Sequence, residues 1–439
     1  MAAKEAVASE ATSLLSANNS TRIIFGGTRP TLPTKPGIYL GGRLVGVNLD
    51  QLLALNKSAA NDSQQGAGSV ASGSLQSQIK DIDLQLSKVT LMGRRLNTGK
   101  VKINRAPGFW RGNFETDVTS GTALIADNSQ RPIVLKLDKL ILKSAAEQAG
   151  NKSQTNSATR SSINSRAWPK IKLSIDKLLL DRLNIGRWSA VLAPSKRGYT
   201  VKSIQGGIAN TKISAQMRWD ELQKNITTHL SLQADGGDFG AVLKQLGFDR
   251  VLETKTGNLQ TQLSWPGYPW DIAQKNLSGA MSFKLKQGRI IEAGTSANFL
   301  RIFGILNLNT VIKRLKLDFS DLLESGVAFD TVTANYNLQN GLATSINPLK
   351  LEGSSASVEM SGTINFSDQT LQQKMLVAIP LTSNAPIAAL LLATPQVAGI
   401  AFIIDKLLGK KLAKLTALRY QVSGSWLEPN IRPINGAKK

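Results

Sequence analysis

Apolar and polar positions alternate with a period of two along much of this chain. Ile171, Leu173 and Ile175 are interleaved with Lys172, Ser174 and Asp176, and Met281, Phe283 and Leu285 with Ser282, Lys284 and Lys286. Leu230 and Leu232 keep the same rhythm, as do Leu259, Leu263 and Trp265. Val332, Ala334, Tyr336 and Leu338 run into Asn340-Gly341, a two-residue hairpin signal, and Leu342 resumes beyond it. Val358, Met360, Ile364 and Phe366 lead to a turn at Ser367-Asp368, which Met375, Val377 and Ile379 follow; Leu418, Tyr420, Val422 and Trp426 form a last run. Successive side chains of a strand point to opposite faces, so each run predicts a strand with one apolar and one polar face. About fifteen or more such strands, joined as antiparallel meanders, make the chain mainly β.

Helical spacing is confined to a few places. Residues 3–16, 50–55 and 238–246 predict short helices, the last around Val242, Leu243 and Leu246. Residues 296–324 predict two, with Phe299, Leu300, Phe303 and Leu306 on one face of the first and Asn309 as N-cap of the second. The stretch 386–404 is apolar nearly throughout, long enough to span a bilayer, but Pro395 and Gln396 interrupt its centre. A helix pair broken at Pro395 is expected, 387–394 and 397–415. Leu390 and Leu391 lie in the first half; in the second, Ile400, Ile404, Leu408 and Leu412 repeat every four residues, with Lys406, Lys410 and Lys414 on the other side. Such a pair could plug the end of a β core or lie in a membrane interface.

Two segments break the pattern. Residues 56–77 and 144–167 are rich in Ser, Ala, Asn, Gln and Gly and almost free of large apolar side chains, which predicts flexible polar insertions within β regions. The apolar strand faces need a partner. They could pack as a sandwich, close as a barrel, or line a long half-pipe. With only 5% aromatic residues, the apolar set is mostly aliphatic, which suits a lining for acyl chains.

Composition removes most chemistry. The 439 residues include no cysteine and a single histidine, so disulfides, zinc ribbons, iron–sulfur clusters and thiol nucleophiles are excluded, and no multi-histidine metal site can form. That histidine, His229, falls on the polar phase of a strand. Asp318, Asp321 and Asp330 are the densest acidic group, but the first two read as helix caps. No enzyme activity and no cofactor is expected. The formal charge of +23 calls for an anionic partner or surface. It is spread along the chain instead of gathered on a basic helix or interleaved with aromatics, which argues against nucleic acid. The tryptophans sit in Gly/Pro turns, such as Trp265-Pro266-Gly267-Tyr268-Pro269-Trp270, and read as corner residues.

Residues 287–332, from Gly288-Arg289 through Leu306-Asn307-Leu308 and the Arg314–Asp321 block to Phe329-Asp330, carry a family resemblance. So do Leu351-Glu352-Gly353-Ser354-Ser355-Ala356, the closing Tyr420–Trp426 run, Trp265-Pro266-Gly267, Gly186-Arg187-Trp188 and the opening Ile24-Phe25-Gly26-Gly27. Together these motifs resemble the C-terminal region of the AsmA-like envelope proteins, most closely their YhdP-like branch, over nearly the whole chain apart from the two polar insertions. The resemblance implies an elongated, curled antiparallel sheet, a repeating β-groove, that carries phospholipid between inner and outer membranes of a Gram-negative envelope. It divides the chain into a lead-in (1–20), a groove region (21–286) and a C-terminal region (287–439) with helices near 296–324 and 386–415. Lining candidates are Ile171, Leu173, Ile175, Met281, Phe283, Leu285, Val358, Met360, Met375, Val377 and Ile379. Outer-membrane contact is expected of Leu390, Leu391, Ile400, Ile404, Leu408 and Leu412 with Lys406, Lys410 and Lys414. Family members begin with an inner-membrane anchor; residues 1–20 show neither anchor nor signal, so an N-terminal part or partner is expected to supply it, in the periplasm. A structural envelope protein with a closed β core is the competing expectation.

Overall fold

A computed structural model describes residues 20–26, 33–46, 78–91, 94–128, 130–142, 165–222, 225–291, 327–354, 357–380, 402–408, 411–425 and 428–434. Two compact units contain them, one formed by Met1–Arg182 and Arg187–Tyr199, the other by Leu183–Gly186 and Thr200–Lys439. The first holds β1 (Ser20–Phe25), β2 (Gly37–Val45), β3 (Ile79–Leu91), β4 (Arg94–Ala106), β5 (Phe109–Thr116), β6 (Thr119–Ala126), β7 (Ile133–Leu142), β8 (Ile171–Leu180) and most of β9 (Leu183–Pro194).

In the second unit, most of β10 (Gly198–Ile208) is followed by β11 (Thr211–Leu222), β12 (Asn225–Gly236), helix α1 (Phe239–Gln245), β13 (Leu252–Pro266) and β14 (Ser278–Ile290). Then come β15 (Val327–Gln339), β16 (Leu342–Glu352), β17 (Ser357–Asn365), β18 (Thr370–Pro380), β19 (Phe402–Leu408), β20 (Lys411–Ser425) and β21 (Asn430–Pro433). The mainly-β expectation holds, and local chemistry accounts for the joints. Asn340 and Gly341 both take positive φ, +49° and +77°, the geometry of a tight primed turn between β15 and β16. Asn365 accepts from the backbone N–H groups of Ser367 and Asp368 through its side-chain oxygen, shaping the β17–β18 turn. Helix α1, expected at 238–246, is capped by Asp238, whose carboxylate accepts from Gly240 N at 2.9 Å and Thr254 N at 3.1 Å.

The meander is not antiparallel throughout. β1–β2, β2–β3 and β7–β8 pair in parallel. Parallel neighbours cannot be joined by a tight turn, because the chain must first return to the rim where it started. The polar stretches 56–77 and 144–167 fall inside the β2–β3 and β7–β8 connections.

A second correction concerns the C-terminal helix pair. Residues 402–408 and 411–425 are strands, paired from Phe402↔Ala417 to Leu408↔Lys411, and β20 also pairs with β18 from Pro380↔Leu415 to Thr370↔Ser425. The four-residue repeat that suggested a helix is an even number, so it satisfies a period of two equally well. Phe402 and the β-branched pair Ile403-Ile404 favour the strand. The helices expected at 3–16, 50–55 and 296–324, and the first half of the pair with Leu390 and Leu391, lie outside the described residues, as do Ile400 and Lys410.

Register aligns the apolar phases into rows. In the first unit one row runs Ile23, Leu40, Ile82, Ile103, Gly112, Ala123, Leu135 and Leu173 across β1–β8. In the second, Leu285, Val332, Leu351, Val358, Val377 and Leu418 lie side by side across β14, β15, β16, β17, β18 and β20. Gly362 marks where the ladder leaves no room for a side chain: its φ is +144°, and a Cβ there would lie 2.1 Å from the Gln372 carbonyl oxygen. Gly362→Ala is expected to cost about 2–4 kcal/mol, read as a lower urea midpoint with an unchanged slope.

Candidate functional site

The apolar face differs along the chain in how far it is covered. The first-unit row is open: Leu40, Ile82, Ile103, Ala123, Leu135 and Leu173 are each half-buried, and Ile23 is exposed. Its polar counterpart, Asp83, Lys102, Asn113, Thr122, Lys136 and Ser174, occupies the opposite face in the same register. In the second unit Leu230, Leu232 and Leu259 on β12 and β13 are likewise half-buried, as are Leu263, Met281 and Phe283 on β13 and β14, which pack against the core described next.

From β15 onward the interior is closed. Val332, Leu351, Val358, Met360, Met375 and Val377 are at most 2% exposed and belong to one core cluster. Burying each side chain of that size contributes about 1.5–3 kcal/mol, so this end is a packed core. Three polar side chains share it. Gln373 Oε1 and the Tyr420 hydroxyl have no hydrogen-bond partner among the described residues, and burial raises the Tyr420 pKa to about 12. Burial also raises the pKa of Tyr336.

The sequence-derived candidates divide along this boundary. Ile171, Ile175 and Leu285 are buried at 7%, 5% and 8%, whereas Leu173, Met281 and Phe283 are half-buried. Val358, Met360, Met375 and Val377 lie in the closed core. Ile379 pairs with Thr416; Ile404, Lys406 and Leu408 are on β19, and Leu412 and Lys414 on β20. The register brings Val358 beside Val377 and Met360 beside Met375. The sequence reading does not single out Ile82, Leu84, Leu86, Val101 and Ile103, although Asp83, Gln85 and Lys102 alternate with them and carry the same signal.

The remaining candidates are structural. His229 lies in a polar row with Arg218 and Ser264, its Nε2 3.8 Å from the Asp220 carboxylate. Partial burial and then Arg218 lower its pKa and so favour the neutral ring, while the Asp220 carboxylate opposes them. Trp265 and Tyr268 are 2% and 3% exposed; the indole N–H donates to the Tyr268 carbonyl, and Tyr268 stacks on Trp270 at 4.9 Å, closing a corner of the sheet. Among the described residues no group of three or more His, Asp or Glu side chains is placed to hold a metal ion, and no helix is long and apolar enough to cross a membrane. What the described strands offer is apolar area. Leu351→Ala is expected to cost about 2–5 kcal/mol, because it opens a cavity in a filled core. Ile103→Ala, on the open face, should cost under about 1.5 kcal/mol by the same urea titration.

The chain was compared with known proteins. A family model described as "YhdP protein" matches residues 3–431. The curated "Intermembrane phospholipid transporter YhdP" of Escherichia coli (strain K12) is 23% identical over 412 residues, which cover 93% of this chain and 31% of that protein. The chain thus spans under a third of its relative's length. No solved structure matches it. With nearly every residue inside the family model, the chain belongs to the YhdP protein family.

Proposed function

We propose that this chain is a non-enzymatic phospholipid-carrying segment of an envelope protein that moves lipid between inner and outer membranes. The chain would be the outer-membrane-proximal part of such a protein, with residues 21–286 as the carrying region and 287–439 as its C-terminal region. The observation that supports this most is the open apolar row from Ile23 to Leu173, which crosses eight strands and leaves its aliphatic side chains accessible. Each acyl CH₂ placed on such a face contributes about 0.8 kcal/mol, so tails can be held with no catalytic residue. Leu173, Met281 and Phe283, flanked by Ile171, Ile175 and Leu285, are the lining residues this reading uses. The relative's description as an intermembrane phospholipid transporter supports the substrate class.

The charge-poor stretch ending at Ile404, with Lys406, Lys410 and Lys414 after it, is the part whose composition suits contact with the outer-membrane inner leaflet. Its second half would make that contact as a β-hairpin. A second reading, a structural envelope protein, draws on the closed interior of β15–β20, where the lining candidates Val358, Met360, Met375 and Val377 are core residues.

Organic extraction of the purified chain followed by mass spectrometry separates the two. The carrier reading expects co-purified phospholipid. It also expects Leu173→Asp and Phe283→Asp to lose most of that lipid with a melting temperature within a few degrees of the parent. Lipid-free protein, or lipid content unaffected by Leu173→Asp and Phe283→Asp, would contradict it.

A further inference from the structure

The two rims of the first unit, where its strands begin and end, differ in charge. One rim gathers strand ends that are linked by side-chain and backbone contacts. Lys80 packs beside Gly37, Asp81 accepts from Asn104, Asp127 N donates to the Gly108 carbonyl, and Ile133 N to that of Lys170. The Tyr199 hydroxyl then donates to the Pro169 carbonyl at 2.5 Å, with Trp168 packed edge-on against its ring. Segments 33–37, 78–81, 105–111, 127–133, 165–170 and 194–199 on this rim hold nine Lys and Arg side chains against two Asp, Asp81 and Asp127. All but Arg105 are exposed. The opposite rim, segments 43–46, 87–97, 115–119, 138–142 and 181–182, holds six basic side chains against four acidic ones.

One cation of the basic rim lies on the phase of the apolar face itself. Arg105 follows Ile103 by two residues on β4, on the same phase and about 7 Å further along the strand. Its guanidinium stacks 4.8 Å over the Trp110 ring and pairs with Asp127. A lipid lying along the strands would therefore meet a larger excess of cations over acidic groups at one of its two possible headgroup positions than at the other.

We infer that this basic rim is a phosphate track: the headgroup phosphate of a lipid whose tails lie on the Ile82–Ile103 row sits there, and the opposite rim takes none. Phosphate suits it because lysine and arginine donors bind phosphate oxygens by charge-assisted hydrogen bonds, strengthened beside a low-dielectric face. The inference rests on the carrier reading and adds an orientation and a headgroup preference to it. The track selects phosphate-bearing lipids over neutral glycerides.

The test uses the full chain with phosphatidylglycerol and diacylglycerol carrying the same fluorescent acyl chain. Wild type should bind phosphatidylglycerol at least about tenfold more tightly at low salt, since each cation near an anionic lipid headgroup adds a few-fold. Combined Arg131→Glu, Lys170→Glu and Lys196→Glu should bring that ratio to about one, whereas Lys88→Glu, Lys139→Glu and Arg182→Glu together should leave most of it. Matching melting temperatures of the two triple variants keep the comparison fair. Equal losses in both would trace the preference to net charge and overturn the track. So would a first variant that loses flotation on phosphatidylglycerol vesicles yet keeps its headgroup ratio, which assigns the rim to a bilayer surface. Equal binding of both lipids by wild type removes the track and leaves the carrier reading; binding of neither removes both.

Discussion

The backbone ladder between neighbouring strands decides which side chains share a face, because a slip of one residue sends every side chain of a strand to the other side. In the first unit the ladder sets Ile82, Ile103, Gly112, Ala123 and Leu135 abreast, with Asp83, Lys102, Asn113, Thr122 and Lys136 abreast behind them. No single residue in that row is large. The apolar surface comes from repetition, and it exists only while register holds. Glycines such as Gly362, which no side chain could replace without meeting the next strand, and the Asn340-Gly341 and Asn365 turns pin that register in the second unit.

Two consequences follow from one pattern. Where the row stays half-covered, as on β1–β8 and β12–β14, it presents a surface for something apolar to lie against. Where β15–β20 close over it, the same alternation yields a core with Leu351, Met360 and Ile364 at 1% exposure or less. That core still holds Gln373 Oε1 and the Tyr420 hydroxyl without partners among the described residues, an arrangement that costs stability. The polar faces carry the charge outward, unevenly enough that the two rims of the first unit differ in sign balance.

Strand existence and phase were legible because a period of two survives in any half-buried strand, and the turns at Asn340-Gly341 and Ser367-Asp368 declared themselves by residue type. Strand direction was not. Nothing local in Leu135 or Leu173 says that β7 and β8 run the same way; only the length of the polar connection hints at it, and a flexible insertion would look identical. The segment 402–415 misled for a definite reason, since Ile404, Leu408 and Leu412 satisfy two periods and only pairing with a neighbour chooses between them. The candidate face was partly legible. Leu173 and Phe283 could be assigned to the apolar phase, but whether a phase ends up open or closed depends on curvature and long-range pairing, which alternation does not encode. The basic rim was invisible, because its cations come from six separate segments that only the fold assembles.

The claim that the half-covered face is where lipid lies can be tested most directly by photocrosslinking. A photoreactive residue placed in turn at Ile103, Lys102 and Leu351, in chain expressed in Gram-negative cells, reports what each position touches. The account predicts covalent phospholipid adducts at Ile103 and none at the outward Lys102 or the closed-core Leu351. Adducts at Lys102 as abundant as at Ile103, or none at Ile103, would contradict it.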